Sequence, residues 1–261
     1  MNLVVCLKQV PENPKIEVDP QTGALIGAKG KLVINPFDMY ALEEGIRTKE
    51  KHGGKVTAIT MGPPEAEEAL REAIALGIDQ VIRLSHPLFE GSDTLATSYI
   101  LAKAVGKLEQ PDIIICGRQT TDGDTGQVAP QLAEWLGLPF VSYVSQIENI
   151  GDRCMVVRRM VDEGHQIVEM SLPGVISVVK EINVPRLPSL RGLMQSKKVQ
   201  IPVWGVPELG LDVTKVGPAG SPTRMAMVSF PAITRQGEML QGSLESQVDQ
   251  LIERLRTAKV V

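Results

Sequence analysis

Apolar residues along the chain fall into short uninterrupted runs that alternate with stretches of helical period. Residues 2–7 (NLVVCL) are such a run, as expected of a strand covered on both faces of a parallel sheet, and the shorter apolar stretches within 55–61 and 79–84 are read as the second and third strands. Between the first two, Tyr40, Ala41, Leu42 and Ile46 recur at helical spacing behind Asn35 and Pro36, a cap and a first-turn proline. Gly62-Pro63-Pro64 then opens a second helix from Glu65 to about Leu76. This β-α-β-α-β alternation predicts an α/β fold with a doubly wound, mostly parallel sheet. Residues 12–31 alternate weakly around Asp19-Pro20 and Thr22-Gly23 and predict a hairpin excursion.

Residues 112–139 join a strand, a loop and a helix. The β-branched run Ile113-Ile114-Ile115-Cys116 gives way after Gly117 to Thr120, Thr121, Asp122, Gly123, Asp124, Thr125 and Gly126. From Gln127, apolar residues recur at Val128, Leu132, Trp135 and Leu136. Small side chains leave main-chain amides free to wrap an anion, and a helix N-terminus adds unpaired N–H groups and a favourable dipole. The plainer reading is that Asp122 or Asp124 caps the helix and the glycines serve a tight turn. The spacing is neither a Walker loop nor GxGxxG.

Other residues at strand exits and helix starts offer the same choice. Lys8 leaves the C-terminal end of the first strand, where open α/β sheets put their ligands, or is simply solvated. Asn35 and Asp38 are read first as helix caps. Ser92 or Asp93 caps the helix that follows, and Thr94 and Thr97 share one face of it near its positive end. Those two hydroxyls either meet a phosphate or bond back to their own helix.

From residue 140 the helical period is lost. Strands are predicted over 140–150, 154–161, 166–170 and 174–179, with turns at Gly151-Asp152 and Glu163-Gly164, an antiparallel excursion that closes back on the sheet. Beyond Asn183 prolines recur (185, 188, 202, 207, 218, 222), then an amphipathic helix over 244–255 carries Val248, Leu251, Ile252 and Leu255. The expected organisation is a nucleotide-binding domain, 1–183, and an extended arm, 184–261, lying on another surface.

Composition narrows the function. A net charge of −4 and 3% aromatic residues among 261 give no reason to expect nucleic acid. The three cysteines, Cys6, Cys116 and Cys154, suggest neither disulfides nor zinc. The apolar N-terminal run is too short for a signal peptide or a membrane span, so a cytoplasmic, not membrane-embedded, protein is expected. No Ser/His/Asp set, HxxH pair or lysine-bearing Gly-rich loop is found. The chain is expected to supply a binding site, with no catalytic residue and no metal.

The loop Asp122-Gly-Asp-Thr-Gly-Gln127, the segment Asn35-Pro-Phe-Asp38, the turn Met61-Gly62-Pro63 and the block 157–177 together resemble the electron transfer flavoprotein beta subunit family, nearly end to end. The resemblance implies a HUP-like adenine-nucleotide fold in which Cys6, Lys8, Asn35, Phe37, Asp38, Met61 and Gly62 surround adenosine. Gln119, Asp122, Gly123, Asp124, Thr125, Gly126 and Gln127 would take the pyrophosphate, helped by Asp93, Thr94 and Thr97. The start of the 94-helix and the 122–127 loop are similar to the FAD-binding members, associated with electron bifurcation from NADH or with quinone-linked relatives, not to those that hold AMP. The implied partners are an alpha subunit, on whose flavin domain the last helix docks, and an acyl-CoA-type dehydrogenase or quinone reductase, into which Leu190 anchors. The alternatives are a carrier subunit with structural AMP, and a stand-alone adenine-nucleotide sensor of the universal-stress type.

Overall fold

In the computed structural model, which describes all residues except 13–14, 19–24, 225–236 and 261, the described residues form thirteen strands and seven α-helices. In order these are β1 (Asn2–Cys6), β2 (Gln9–Pro11), β3 (Lys15–Val18), β4 (Leu25–Lys29), β5 (Leu32–Ile34), α1 (Pro36–His52), β6 (Lys55–Met61), α2 (Glu67–Leu76), β7 (Gln80–Leu84), α3 (Thr94–Lys107), β8 (Ile113–Gly117), α4 (Val128–Leu136), β9 (Phe140–Ile150), β10 (Cys154–Val161), β11 (Gly164–Ser171), β12 (Gly174–Val178), α5 (Leu190–Ser196), β13 (Val203–Trp204), α6 (Val206–Leu209) and α7 (Leu244–Thr257). The strands read from periodicity are therefore present. The expected hairpin is an antiparallel β3–β4 pair, and its tip lies outside the described residues.

Nine strands make one sheet in the order β11-β10-β9-β12-β8-β1-β6-β7-β13. From β9 to β13 all neighbours are parallel, while β10 runs antiparallel to β9 and to β11. Alternation along β1 sends Leu3 and Val5 into a core with Leu42, Ile46, Leu70 and Ile74 of α1 and α2. Val4 and Cys6 enter a second core with Ile100 of α3 and Leu132 of α4, the period-two rule of a strand buried on both sides.

Chain order decides where a ligand can sit. From β1 the chain builds outward through β6 to β7, then returns across the sheet to place β8 on the opposite side of β1. The order reverses between β1 and β8, and in open α/β sheets the crevice outside the carboxyl ends at such a point is the ligand site. Cys6 and Cys116 are register partners at that edge. Val144 of β9 pairs with Val178 near the end of β12, so residues 145–150 run past the carboxyl edge, with β10 paired along them, and wall one side of the crevice.

The proline-rich stretch departs from the expected arm. α5 packs on α2, where Gly192 lies against the Ala75 backbone and Arg71 donates to the Ser196 carbonyl at 2.5 Å. β13 adds a ninth strand beside β7, and Ile201, Leu209, Leu211 and Val216 are buried in the two cores. Prolines exclude long regular elements, not burial, and this stretch covers the edge that β7 would otherwise leave open. α7 differs: it buries no residue, and Leu244, Val248, Leu251 and Ile252 are exposed. Among the described residues no helix is long and apolar enough to cross a membrane, and no cluster could hold a metal ion.

Candidate nucleotide site

The carboxyl ends of β1, β6 and β8 bring most of the expected residues to one place. The loop after β8 is folded by residues from elsewhere in the chain. Asn35 donates through Nδ2 to the Gln119 carbonyl at 2.8 Å, and its Oδ1 accepts the Thr121 amide at 3.2 Å. This corrects the reading of Asn35 as a cap: it stands at the N-cap position of α1 but makes no capping hydrogen bond. Its amide is spent on the loop, whose peptide groups would otherwise be unpaired. Lys8 pairs with Asp122 at 2.5 Å, and Gln119 donates to Asp124. Asp124 adopts φ 52°, and its amide donates to the Thr120 carbonyl at 2.9 Å. Burial pushes the Asp122 carboxyl up, but the hydrogen bond and charge of Lys8, with donors from Thr120 and Gly123, outweigh it and hold the group below its ordinary value.

Asp38 is likewise no cap. It is buried and accepts the Lys8 amide at 2.7 Å. Burial, only partly offset by the Lys8 amide, Asn35 and the Gly117 amide, raises its pKa from 3.8 to about 7. Such a carboxyl binds its proton more tightly when folded, so its contribution to stability is fullest below the unfolded value and is lost as pH rises toward about 7. Asp38→Asn, which removes the ionisable group at the cost of one acceptor oxygen, is expected to gain stability relative to the parent as pH rises from 4 to 8. Thermal unfolding of both proteins across that range checks it, and parallel pH profiles would contradict it.

The two helix starts differ. At α4 the amides of Gln127, Val128 and Ala129 meet no acceptor among the described residues, and no side chain caps the helix. At α3, Asp93 caps with Oδ1 on the Leu95 and Ala96 amides at 2.9 and 3.1 Å, while Oδ2 takes both the amide and hydroxyl of Thr223. Both carboxylate oxygens are thus engaged within the chain, so the structure gives Asp93 the capping role. The hydroxyls of Thr94 and Thr97 make no hydrogen bond among the described residues; Ser98 is the one that bonds back to its helix, to the Leu95 carbonyl. α3 and α4 pack together, and both start at the carboxyl edge.

On the far side of β1, Met61 and Gly62 end β6, and Gly62 donates to the Leu84 carbonyl at 3.0 Å. Cys6 and Cys116 are buried and free. The Cys6 thiol hydrogen bond and burial push the Cys116 thiol up, so the Cys116 sulfur is an inert wall.

Sequence reasoning alone misses Arg118. Its guanidinium lies over the ring of Tyr143 at 4.9 Å and that of Phe37 at 5.9 Å. Its Nε is buried without a partner among the described residues. Tyr143 itself holds φ 59° in an irregular part of β9, a strained conformation of the sort found at ligand sites. The signal that could have found Arg118 is the one that marks Lys8: a basic residue directly after a buried strand.

Comparison with known proteins places this geometry. Residues 23–209 match the family model described as Electron transfer flavoprotein domain. The chain is 44% identical over 262 residues to the electron transfer flavoprotein subunit beta of Thermoanaerobacterium thermosaccharolyticum, covering all of both chains. It is 39% identical over 256 residues to the protein of the same name from Clostridium acetobutylicum, covering 98% of each. It is 37% identical over 263 residues to the caffeyl-CoA reductase-Etf complex subunit CarD of Acetobacterium woodii, again over the whole of both chains.

Proposed function

The chain belongs to the electron transfer flavoprotein family as a beta subunit, and from that premise we propose that its crevice holds FAD and that it takes part in NADH oxidation with flavin-based electron bifurcation. The observation that carries this reading is the set of free donors at the sheet edge. The three amides opening α4 and the hydroxyls of Thr94 and Thr97 lie at the starts of two helices that pack together, the kind of helix ends that take a diphosphate. From Met61 on β6 to Tyr143 on β9 are four strand spacings, about 19 Å along the sheet edge, long enough to carry a dinucleotide.

On this reading Met61, Gly62 and Phe37 bound the adenosine end, while Asn35, fully buried, shapes the loop beside it without facing the ligand. The backbone amides of the 122–127 loop and of the start of α4 would take the diphosphate, with Asp122 held by Lys8 and Asp124 by Gln119. Arg118, fixed between two rings, supplies a cation toward the β9 wall. When bound, FAD supplies the redox chemistry, accepting electrons in pairs and releasing them singly; the chain positions it and keeps water from the crevice floor with Cys6 and Cys116. The partners proposed are an alpha subunit, which α7 and its exposed apolar face would meet, and a dehydrogenase of the acyl-CoA type. The second rests on the CoA-reductase complex named for the Acetobacterium woodii relative.

Anaerobic titration with NADH tests this reading. The complex with its alpha subunit should lose flavin absorbance as NADH is added, and Arg118→Gln should retain its flavin about tenfold less tightly with little change in melting temperature. Flavin absorbance indifferent to NADH would overturn the NADH-linked reading.

A further inference from the structure

Away from the crevice, the second half of α3, α4 and the stretch after α6 border an open surface cavity of about 570 Å³, within the size range of small-ligand sites. Tyr99, Lys103 and Lys107 stand one turn apart on one face of α3, with Ala102 and Gly106 between them. Trp135 of α4, Leu209 and Lys215 complete the lining. Tyr99 and Trp135 meet edge-on with ring centres 5.3 Å apart. The Tyr99 hydroxyl accepts the Asp212 amide at 3.1 Å, which fixes its ring. Lys103 lies 5.8 Å from the Tyr99 ring centre, and Lys215 lies 5.7 Å from that ring and 5.8 Å from Trp135. Lys107 stands 4.8 Å over Trp204 and donates to the Glu208 carbonyl at 2.5 Å.

Three features separate this cluster from an ordinary solvated surface. The chain carries four more acidic than basic residues, yet among the described residues these three ammonium groups make no direct ion pair; the carboxylates whose charge they feel, Glu208 for Lys107 and Asp212 for Lys215, are already bonded to backbone amides. Two of them are one turn apart on a helix, an arrangement that costs a few tenths of a kcal/mol unless something negative lies between them. And the Trp135 indole, at a position whose spacing marked it for the core, is instead 42% exposed beside the cavity. The helix dipole accounts for Lys107 in the last turn of α3, but not for Lys215, which comes from a different segment.

We propose that this cavity binds a small phosphorylated ligand with a planar ring, of the adenine-nucleotide class, at a site separate from the crevice. The ring stacks on Trp135 and the phosphates lie between Lys103 and Lys215. Lys103 is nine residues from the start of α3 at the crevice, about 14 Å along the helix axis, so the two sites are occupied independently.

Of the two tryptophans of the chain, Trp135 lines this cavity and Trp204 lies beneath its Lys107, so intrinsic fluorescence of the full chain reports on it. Titration with ADP at low salt should give a saturable change, and inorganic tripolyphosphate a weaker one of smaller amplitude because it lacks the ring. Lys103→Ala/Lys215→Ala should weaken ADP by about a hundredfold, near tenfold for each charge-assisted hydrogen bond removed. A crevice variant, Lys8→Ala/Thr125→Ala, should leave the titration unchanged. The proposal is overturned by no saturable change, by equal affinity in the double-lysine variant, by loss of the signal in the crevice variant, or by polyglutamate binding more tightly than ADP, which would make this an acidic-protein surface.

Discussion

Gly117→Ala is expected to collapse the crevice from its floor. A Cβ on Gly117 would stand 2.3 Å from Asp38 Oδ1, 2.7 Å from the Phe37 carbonyl carbon and 2.9 Å from the Asp38 amide nitrogen. None of these atoms can yield cheaply: two are main chain in the first turn of α1, and the third belongs to a buried carboxyl already bonded to the Lys8 amide. α1 would have to move off β8, taking with it Asn35 and its two bonds to the 119–121 loop. A cost of about 3 kcal/mol or more follows, a fall of about 10 °C in melting temperature for a domain of this size. Nucleotide retention should fall further than stability, because the clash lies between the residues proposed to hold the adenosine and those proposed to hold the diphosphate. Calorimetry and extraction of bound nucleotide from the purified complex measure the two effects. An alanine variant that melts normally and keeps its nucleotide would show that α1 is not pinned to β8 as described.

Leu190→Ala is expected to do the reverse, leaving stability alone and abolishing most of the exchange with a partner. Leu190 is 82% exposed at the first position of α5, and Val184, Leu187 and Met194 around it are exposed as well. Ser189 caps the helix on the Gly192 amide at 3.0 Å, and α5 is seated on α2. Behind it, Arg186 grips Glu43 and Glu50 of α1 through five hydrogen bonds, and Asn183 holds the Tyr40 carbonyl and Glu44. An apolar side chain displayed on so firmly fastened a base has the character of an interface anchor, whose truncation costs about 2–4 kcal/mol of association. Electron transfer to the partner dehydrogenase at limiting concentration should drop between about thirtyfold and a thousandfold, while unfolding shifts by less than about 0.5 kcal/mol. Unchanged transfer would move the docking surface elsewhere.

Much of this architecture was legible because buried parallel strands leave a plain mark, a charge-free apolar run, which β1 and β8 carry in full and β6 and β7 carry in part. What local pattern does not encode is which strand lies beside which. The return of β8 to the other side of β1 creates the crevice, yet no residue within β8 announces it. Asn35 shows the same limit at a single site. Before a proline and an acidic turn it has every mark of a cap, but its amide is committed to residues 84 and 86 positions away, and long-range partners leave no trace in spacing. The stretch after Asn183 misled for a different reason. Proline frequency reports the absence of regular elements, whereas burial of Ile201, Leu209, Leu211 and Val216 depends on an exposed sheet edge that only the assembled fold provides. Arg118 escaped notice because its partners, Phe37 and Tyr143, come from two other elements.

The central claim is that the turns leaving β1, β6 and β8, with the bare start of α4, together hold one FAD in this subunit. Its most direct test is to purify the complex with its alpha subunit, release the nucleotides by denaturation and count them by chromatography and flavin absorbance. The account requires two FAD for each alpha–beta pair. One FAD accompanied by one AMP, or a crevice that yields no adenylate at all, would contradict it.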